Sequence, residues 1–298
     1  MSSTRATPTC SRHRRAGRRS PTSPSTGPCA TPDERGAAGS HHPHRGPTTL
    51  IEVGAWRLLT DPTFDPPGRT YAFGWGISST KMTGPAVTPA VLGPIDAVLL
   101  THDHHGDNLD DLGRTLLPSA RTVLTTIAGA RRLGGTARGL KPWATATLRR
   151  KGRPTIEVTA TPARHGPPLS RPFVGDVTGF ALRWDGQQHG QLWVSGDTVL
   201  FHGIRTVAER LRIGTAVLHL GGVRFPVTGP IRYTMTGRHA VRICQAIRPR
   251  TTIPVHYEGW RHFQQPRAAL EREFADAADD IRDSIRWLTI GTAADVPA

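Results

Sequence analysis

The sequence predicts a mixed α/β domain. Two observations carry that prediction: a close pair of short apolar segments near residue 50, and an alternation of strand-like and helix-like segments after residue 190. A third concerns function. Ligand-type side chains stand at the ends of several apolar segments, and strand ends are where open α/β folds place their sites.

The elements follow in order. Residues 1–46 are rich in Ser, Thr, Pro, Arg and Gly and nearly free of large apolar residues. Such a block buries too little surface to offset its conformational entropy and is expected to be a disordered basic tail. His41, His42 and His44 lie in it and are read as solvated. The folded domain is therefore placed at 47–298. Residues 50–53 and 56–60 read as two strands turning at Gly54. Residues 64–94 carry many Gly and Pro residues, with Tyr71, Phe73 and Trp75 among them, and read as a long loop. Strands are expected at 96–101, 122–126, 156–161, 178–184, 191–195, 215–220 and 251–255. Helices are expected at 201–212 and at 236–247, with Thr236 as N-cap. A charged amphipathic helix is expected at 266–283 and a last strand at 285–290.

Composition excludes several classes. The chain has 298 residues and a formal net charge of +15. Lys occurs only at positions 81, 141 and 151, and the Arg residues are scattered without an aromatic-interleaved stripe. The charge is thus read as solvated surface from a GC-rich coding bias, with no specific nucleic-acid partner. Cys10, Cys29 and Cys244 build neither a disulfide framework nor a cysteine zinc site, which fits a cytoplasmic protein. No apolar run approaches the length of a membrane span. Arg14-Arg15 and Arg18-Arg19 resemble a twin-arginine signal, but no apolar segment follows them.

The chemistry centres on residues 101–110, Thr-His-Asp-His-His-Gly-Asp-Asn-Leu-Asp, which directly follow an apolar strand. Neutral imidazoles and carboxylates are the ligands of zinc and similar divalent ions, and so many of them are costly to pack without a cation. Four later segments end in the same way, at His165, Asp197, His219 and His256.

In this order the residues resemble the metallo-β-lactamase superfamily, where a His-x-His-x-Asp-His motif precedes a lone His, a lone Asp and a final His. The matches are His102, His104 and Asp107, then His165, Asp197 and His256. Within it the chain looks most like the branch holding ascorbate-6-phosphate lactonase and N-acyl-phosphatidylethanolamine phospholipase D. The residues behind that likeness are 58–62 (Leu-Leu-Thr-Asp-Pro), Leu109-Asp110, 195–198 (Ser-Gly-Asp-Thr) and 253–256 (Ile-Pro-Val-His). The resemblance spans residues 48–292 and implies a four-layer αββα sandwich.

The first motif departs from the family pattern by one inserted residue, and Asn108 stands where the family has its last His. Two frames remain. Either His102 and His104 bind the first ion, or the loop bulges at His104 and His105 acts with His102 or Asp103. An amide is a poorer zinc ligand than imidazole, so the change at Asn108 leaves the second ion in question.

The resemblance implies metal-dependent hydrolysis of a lactone or phosphodiester in a small-molecule or lipid-like substrate. A bound divalent ion lowers the pKa of water from about 16 toward about 7. Zinc is the expected metal, one ion or two, with manganese or iron as alternatives. Asp107 would bind the second ion or take the proton of water, Asp197 would bridge, His165 would complete the first site and His256 the second. Asp61 would orient a ligand from behind, or serve as a turn residue before Pro62. His219 is read as a hydrogen-bonded strand-end residue rather than a substrate donor. Arg164, Arg224 and Arg232 would hold an anionic leaving group, while Tyr257 and Trp260 would line the pocket or pack in the core. The resemblance leaves room for a homo-oligomer. The rival readings are a degenerate metal-binding member without activity and a nuclease of the same fold.

Overall fold

The computed structural model describes residues 39–297 except Trp75, and of His42 only the backbone. The first half contains β1 (Gly39–Arg45), β2 (Thr48–Val53), β3 (Trp56–Thr60), β4 (Thr70–Gly74), β5 (Ile77–Thr80), α1 (Pro89–Leu92), β6 (Ala97–Leu99), α2 (Asp111–Leu116), β7 (Thr122–Thr126), α3 (Ile127–Leu133), β8 (Ala137–Leu140) and β9 (Thr145–Leu148). The second half contains β10 (Ile156–Pro162), α4 (Arg171–Val174), β11 (Thr178–Arg183), β12 (Gln191–Val194), α5 (His202–Arg210), β13 (Ile213–His219), α6 (Gly237–Ile247), β14 (Thr251–Val255), α7 (Arg267–Ala275), α8 (Asp279–Ser284) and β15 (Ala294–Val296).

One sheet has the strand order β15-β1-β2-β3-β6-β7-β8 and the other β14-β13-β12-β11-β10-β9. Side-chain alternation along each strand builds the layers. Ile51, Leu58 and Leu99 of the first sheet meet Val158, Phe180 and Val217 of the second in one inner core. Their sequence neighbours Leu50, Leu59 and Leu100 face outward and pack with Leu92, Leu109 and Leu117. Behind the second sheet, Trp193 and Leu218 pack on Ile204 of α5, Ile243 of α6 and Phe274 of α7. This is the expected αββα arrangement. Full burial of each such side chain contributes about 1.5–3 kcal/mol.

Strand direction places the site. β3 runs parallel to β6, and β12, β13 and β14 run parallel to one another. β10 and β12 both run antiparallel to β11, so β10 shares their direction. The C-terminal ends within each set therefore lie on one edge of its sheet. Asp61 and Thr101 follow β3 and β6, while His165, Asp197, His219 and His256 lie at or just past the ends of β10, β12, β13 and β14.

Several expected elements differ. Residues 64–94 hold the hairpin β4–β5, whose burial alternates along β4, and the short α1. The stretch 127–148 carries a helix and two strands that the sequence did not signal. The helix expected at 266–283 is two helices, α7 and α8, because the chain turns at residues 276–278 so that Phe274, Ala277 and Ile281 all reach the core. The last strand is 294–296 rather than 285–290; Ile285 makes an isolated bridge to Thr252.

The domain also begins earlier than residue 47. β1 pairs with both β2 and β15, and His41 and His44 are buried rather than solvated. A strand poor in apolar side chains can be held by its backbone ladder on both sides, which composition does not reveal. The rest of the expected tail, with Cys10 and Cys29, lies outside the described residues. Because β1 sits between two partners, removing residues 1–46 should detach β15 and lower Tm by more than about 5 °C. Removing residues 1–38 should change Tm little. Thermal melts of the two truncations check this.

Candidate metal centre

The loop after β6 is fixed from behind. Asp61, fully buried and with φ 33°, accepts hydrogen bonds from Thr101 N at 2.7 Å and Thr101 Oγ1 at 3.1 Å. Burial pushes the Asp61 carboxyl up to about 7 against those bonds. Its Oδ2 also lies 3.2 Å from His219 Nε2, in the opposite sheet. Ser195 Oγ stands 3.5 Å from the other nitrogen of His219, so this His is a hydrogen-bonded residue beneath the site. The far end of the loop is held by Asp110. It accepts from Gly113 N at 2.8 Å as the N-cap of α2, from Asp65 N at 2.6 Å and from the buried Lys81 Nζ at 2.8 Å. Gly113 is needed there because a Cβ would run into the Pro62 carbonyl.

Between these anchors three imidazoles converge. His102 Nε2 lies 3.3 Å from His105 Nδ1, and His165 Nε2 lies 3.2 Å from the same atom. The outer nitrogens are occupied: His165 Nδ1 donates to Tyr233 O at 2.8 Å, and His102 Nδ1 meets Thr101 Oγ1 at 3.1 Å. Such partners fix the tautomer and turn the other nitrogen inward. Burial holds His102 and His105 well below the ordinary histidine range and His165 at about 4. All three are thus neutral, the form that binds metal.

The two candidate histidines of the first motif differ in their contacts, although the Nδ1 of His104 is buried without a hydrogen-bond partner. His105 links His102 to His165. His104 lies beside them, with its ring centroid 4.4 Å from that of His105, but its Nε2 meets the Val174 carbonyl. Gly175 leaves room for that ring. Asp103 is turned the other way, with its Oδ2 2.8 Å from Arg132 Nε on α3, and Arg132 outweighs burial to hold its carboxyl well below the usual range. The loop therefore bulges at residues 103–104.

A second cluster adjoins the first. His256 Nε2 is 3.4 Å from Asp107 Oδ2, and His256 Nδ1 is 3.5 Å from Asp197 Oδ1. These are ion-pair distances without hydrogen-bond geometry, so both nitrogens of His256, both oxygens of Asp197 and Oδ1 of Asp107 are buried without hydrogen-bond partners. His256 adopts φ 58°, a strained conformation for a residue with a Cβ, and its N–H donates to Gly46 O at 2.9 Å. Burial pushes Asp197 up to about 6. Burial alone would lower His256, but the Asp197 and Asp107 carboxylates outweigh it and raise it to about 9. Asp107 would be raised by burial, yet His256 and His262 hold it well below the carboxylate range.

Orphaned donors and acceptors at such burial are costly, and a divalent cation would take one ligand atom from each of Asp107, Asp197 and His256. Among the described residues, three groups have ligand atoms mutually within 4.8 Å: His102, His104 and His105; His102, His165 and Asp197; Asp107, Asp197 and His256. Asn108 is fully buried, and its amide nitrogen points to Thr101 Oγ1 at 3.4 Å. His262 was not singled out by the sequence reading. Its Nε2 lies 3.0 Å from Asp107 Oδ2, and the pattern of polar residues after His256 is its only local signal.

A cavity of about 260 Å³ opens onto the cluster, lined by His105, Asp107, His165 and His262 together with Phe73, Phe173, Val223 and Phe225. A second cavity of about 550 Å³ reaches the far side of His165 and carries Lys141, Arg164 and Arg171. Of the arginines considered for an anionic group, Arg232 donates to Gly222 O at 3.1 Å and Arg224 is exposed. Tyr257 and Trp260 are core residues, 7% and 5% exposed.

Comparison with known proteins agrees with this picture. The profile of the beta-lactamase superfamily domain matches residues 56–257. A UPF0173 metal-dependent hydrolase of Deinococcus radiodurans is 30% identical over 227 residues, covering 70% of this chain and 80% of the relative. One from Pyrococcus furiosus is 28% identical over 185 residues, covering 60% and 72%. Among solved structures, isothiocyanate hydrolase from Delia radicum gut bacteria superimposes with a TM-score of 0.69 at 21% identity, over 87% of this chain and 100% of that one.

Two outcomes follow from the geometry. His105→Ala should lose about tenfold or more in affinity for the first ion, whereas His104→Ala should lose less; metal competition against a chromophoric chelator compares them. At pH 7 the metal-free His256, at about 9, carries a proton that an incoming ion must expel. Metal binding should therefore release protons at pH 7 and tighten as pH rises toward 9. Calorimetry in buffers of different ionisation enthalpy measures the release.

Proposed function

We propose that this chain, which belongs to the beta-lactamase superfamily and is a metal-dependent hydrolase of that fold, acts on an uncharged lactone or comparable ester with an apolar substituent. The observation that carries this reading is the cavity beside Asp107. Away from the cluster its wall is mostly aromatic and aliphatic, and among the described residues that line it there is no Lys or Arg. Such a pocket suits an apolar group and gives a phosphate nothing to pair with. A phosphodiester is the second reading, supported by Arg164 and Lys141 in the cavity across His165.

In this reading His102, His105 and His165 hold one divalent ion, and Asp107, Asp197 and His256 hold the other. Imidazole with carboxylate suits zinc, with iron or manganese as alternatives. When bound, the metal supplies Lewis acidity, activating water and polarising the scissile carbonyl. The chain's own residues do the rest. Asp197, with both oxygens unpartnered, is suited to face both ions. Asp107 Oδ1, also unpartnered and beside the cavity, would bind the second ion or accept the proton of water. Phe73 and Phe225 seat the apolar part of the substrate and exclude bulk water. The buried, unpaired thiol of Cys244 suits a cytoplasmic location.

The test is turnover of the zinc-loaded full chain on alkyl-substituted lactones and on a chromogenic phosphodiester. Lactone hydrolysis should disappear with a chelator and return with zinc. Phe225→Ala should raise KM about tenfold with a smaller change in kcat, as expected for lost apolar contact. Phosphodiester turnover without lactone turnover would reverse the preference.

A further inference from the structure

We propose that His262 is a ligand of the second metal ion and replaces the imidazole that the first motif lacks at Asn108. The inference rests on the two-ion reading above and adds a residue to it. His262 is buried, and its Nε2 lies 3.0 Å from Asp107 Oδ2. His256 Nε2 lies 3.4 Å from that same oxygen. Two atoms that bind one zinc ion at about 2.1 Å stand about 3.0–3.4 Å apart, and each imidazole nitrogen stands at such a spacing from Asp107 Oδ2. The imidazoles of His262 and His256 thus flank one oxygen of Asp107.

The orientation of the ring is set from outside the cluster. His262 Nδ1 lies 2.6 Å from Ser79 Oγ on β5. Ligating histidines characteristically engage their second nitrogen in this way, which leaves Nε2 for the metal. Phe225 stacks on the ring at 5.2 Å and 22°, and Phe263 packs edge-on at 4.7 Å. The ring has little freedom to turn away.

Asn108, by contrast, is engaged behind the site. Its amide nitrogen points to Thr101 Oγ1, which itself donates to Asp61. Its nitrogen thus supports the His102 loop, while its Oδ1 is buried without a hydrogen-bond partner. The extra residue in the first motif is consistent with this. It shifts position 108 relative to the histidines, and the vacated coordination position is reached from the segment that follows β14. The hairpin β4–β5, which supplies Ser79, is part of the same arrangement.

The experiment is titration of zinc into metal-free protein, with stoichiometry read by calorimetry and checked by elemental analysis. Wild type, His262→Phe, His262→Gln, Asn108→Ala and Ser79→Ala are compared, each first shown to melt cooperatively. Wild type and Asn108→Ala should bind two ions. His262→Phe and His262→Gln should bind one, and Ser79→Ala should bind two with the second step about 10–100-fold weaker. If both His262 variants still bind two ions at saturation, His262 is a hydrogen-bond partner of Asp107 and the proposal is overturned. Loss of the second ion in Asn108→Ala, with retention in the His262 variants, would return that role to Asn108. Wild type binding a single ion would overturn the second site, and wild type binding none would overturn the metal-dependent reading on which it rests.

Discussion

The structure turns on one electrostatic constraint. Asp107, Asp197 and His256 are packed together in a buried cluster, and most of their side-chain polar atoms lack hydrogen-bond partners, the exception being Asp107 Oδ2, which His262 meets. Desolvated carboxylates at such spacing repel one another, and the direction of their shifts records it: burial pushes Asp197 up, while His256 is driven up by the two acids beside it. A shared proton relieves this partly. A divalent cation relieves it further, because its charge offsets both carboxylates while it takes one ligand atom from each residue.

Holding that cluster in place requires both sheets. Asp61 reaches from the end of β3 to the start of the His loop and to His219 on the opposite sheet. The loop between is pinned at its other end by Asp110, whose carboxylate gathers an N-cap bond, a loop amide and the Lys81 ammonium. This buried pair is tolerated because its oxygens are saturated with donors, the condition under which burying charge stops being destabilising. The apolar core between the sheets fixes the distance across which these residues reach.

The insertion in the first motif changes geometry more than composition. It lets the loop bulge at residues 103–104, so that Asp103 turns to Arg132 and His104 turns to the Val174 carbonyl while His105 faces inward. Gly106 permits the same fold of the loop, since a Cβ there would strike the Tyr71 ring. The hairpin carrying Tyr71 also brings Phe73 against both His105 and His262. A segment with the composition of a loop thereby forms one wall of the cavity.

The sequence by itself determined the class of fold, the chain order of most strands and the types of side chain gathered at their ends. It could do so because apolar runs and imidazole–carboxylate patterns are local properties. Thr236 as the N-cap of α6 was readable for the same reason. Which residues meet was decided by the tertiary structure. Whether His104 or His105 faces His165 depends on a bulge set by contacts with α3 and α4, far away in sequence. His262 reaches Asp107 across 155 positions, and no spacing rule connects the two. β1 is a strand because β2 and β15 lie on either side of it, not because its own residues favour burial. Side-chain chemistry is written along the chain; its convergence depends on strand direction, sheet packing and long-range hydrogen bonds, which exist only once the two sheets are stacked.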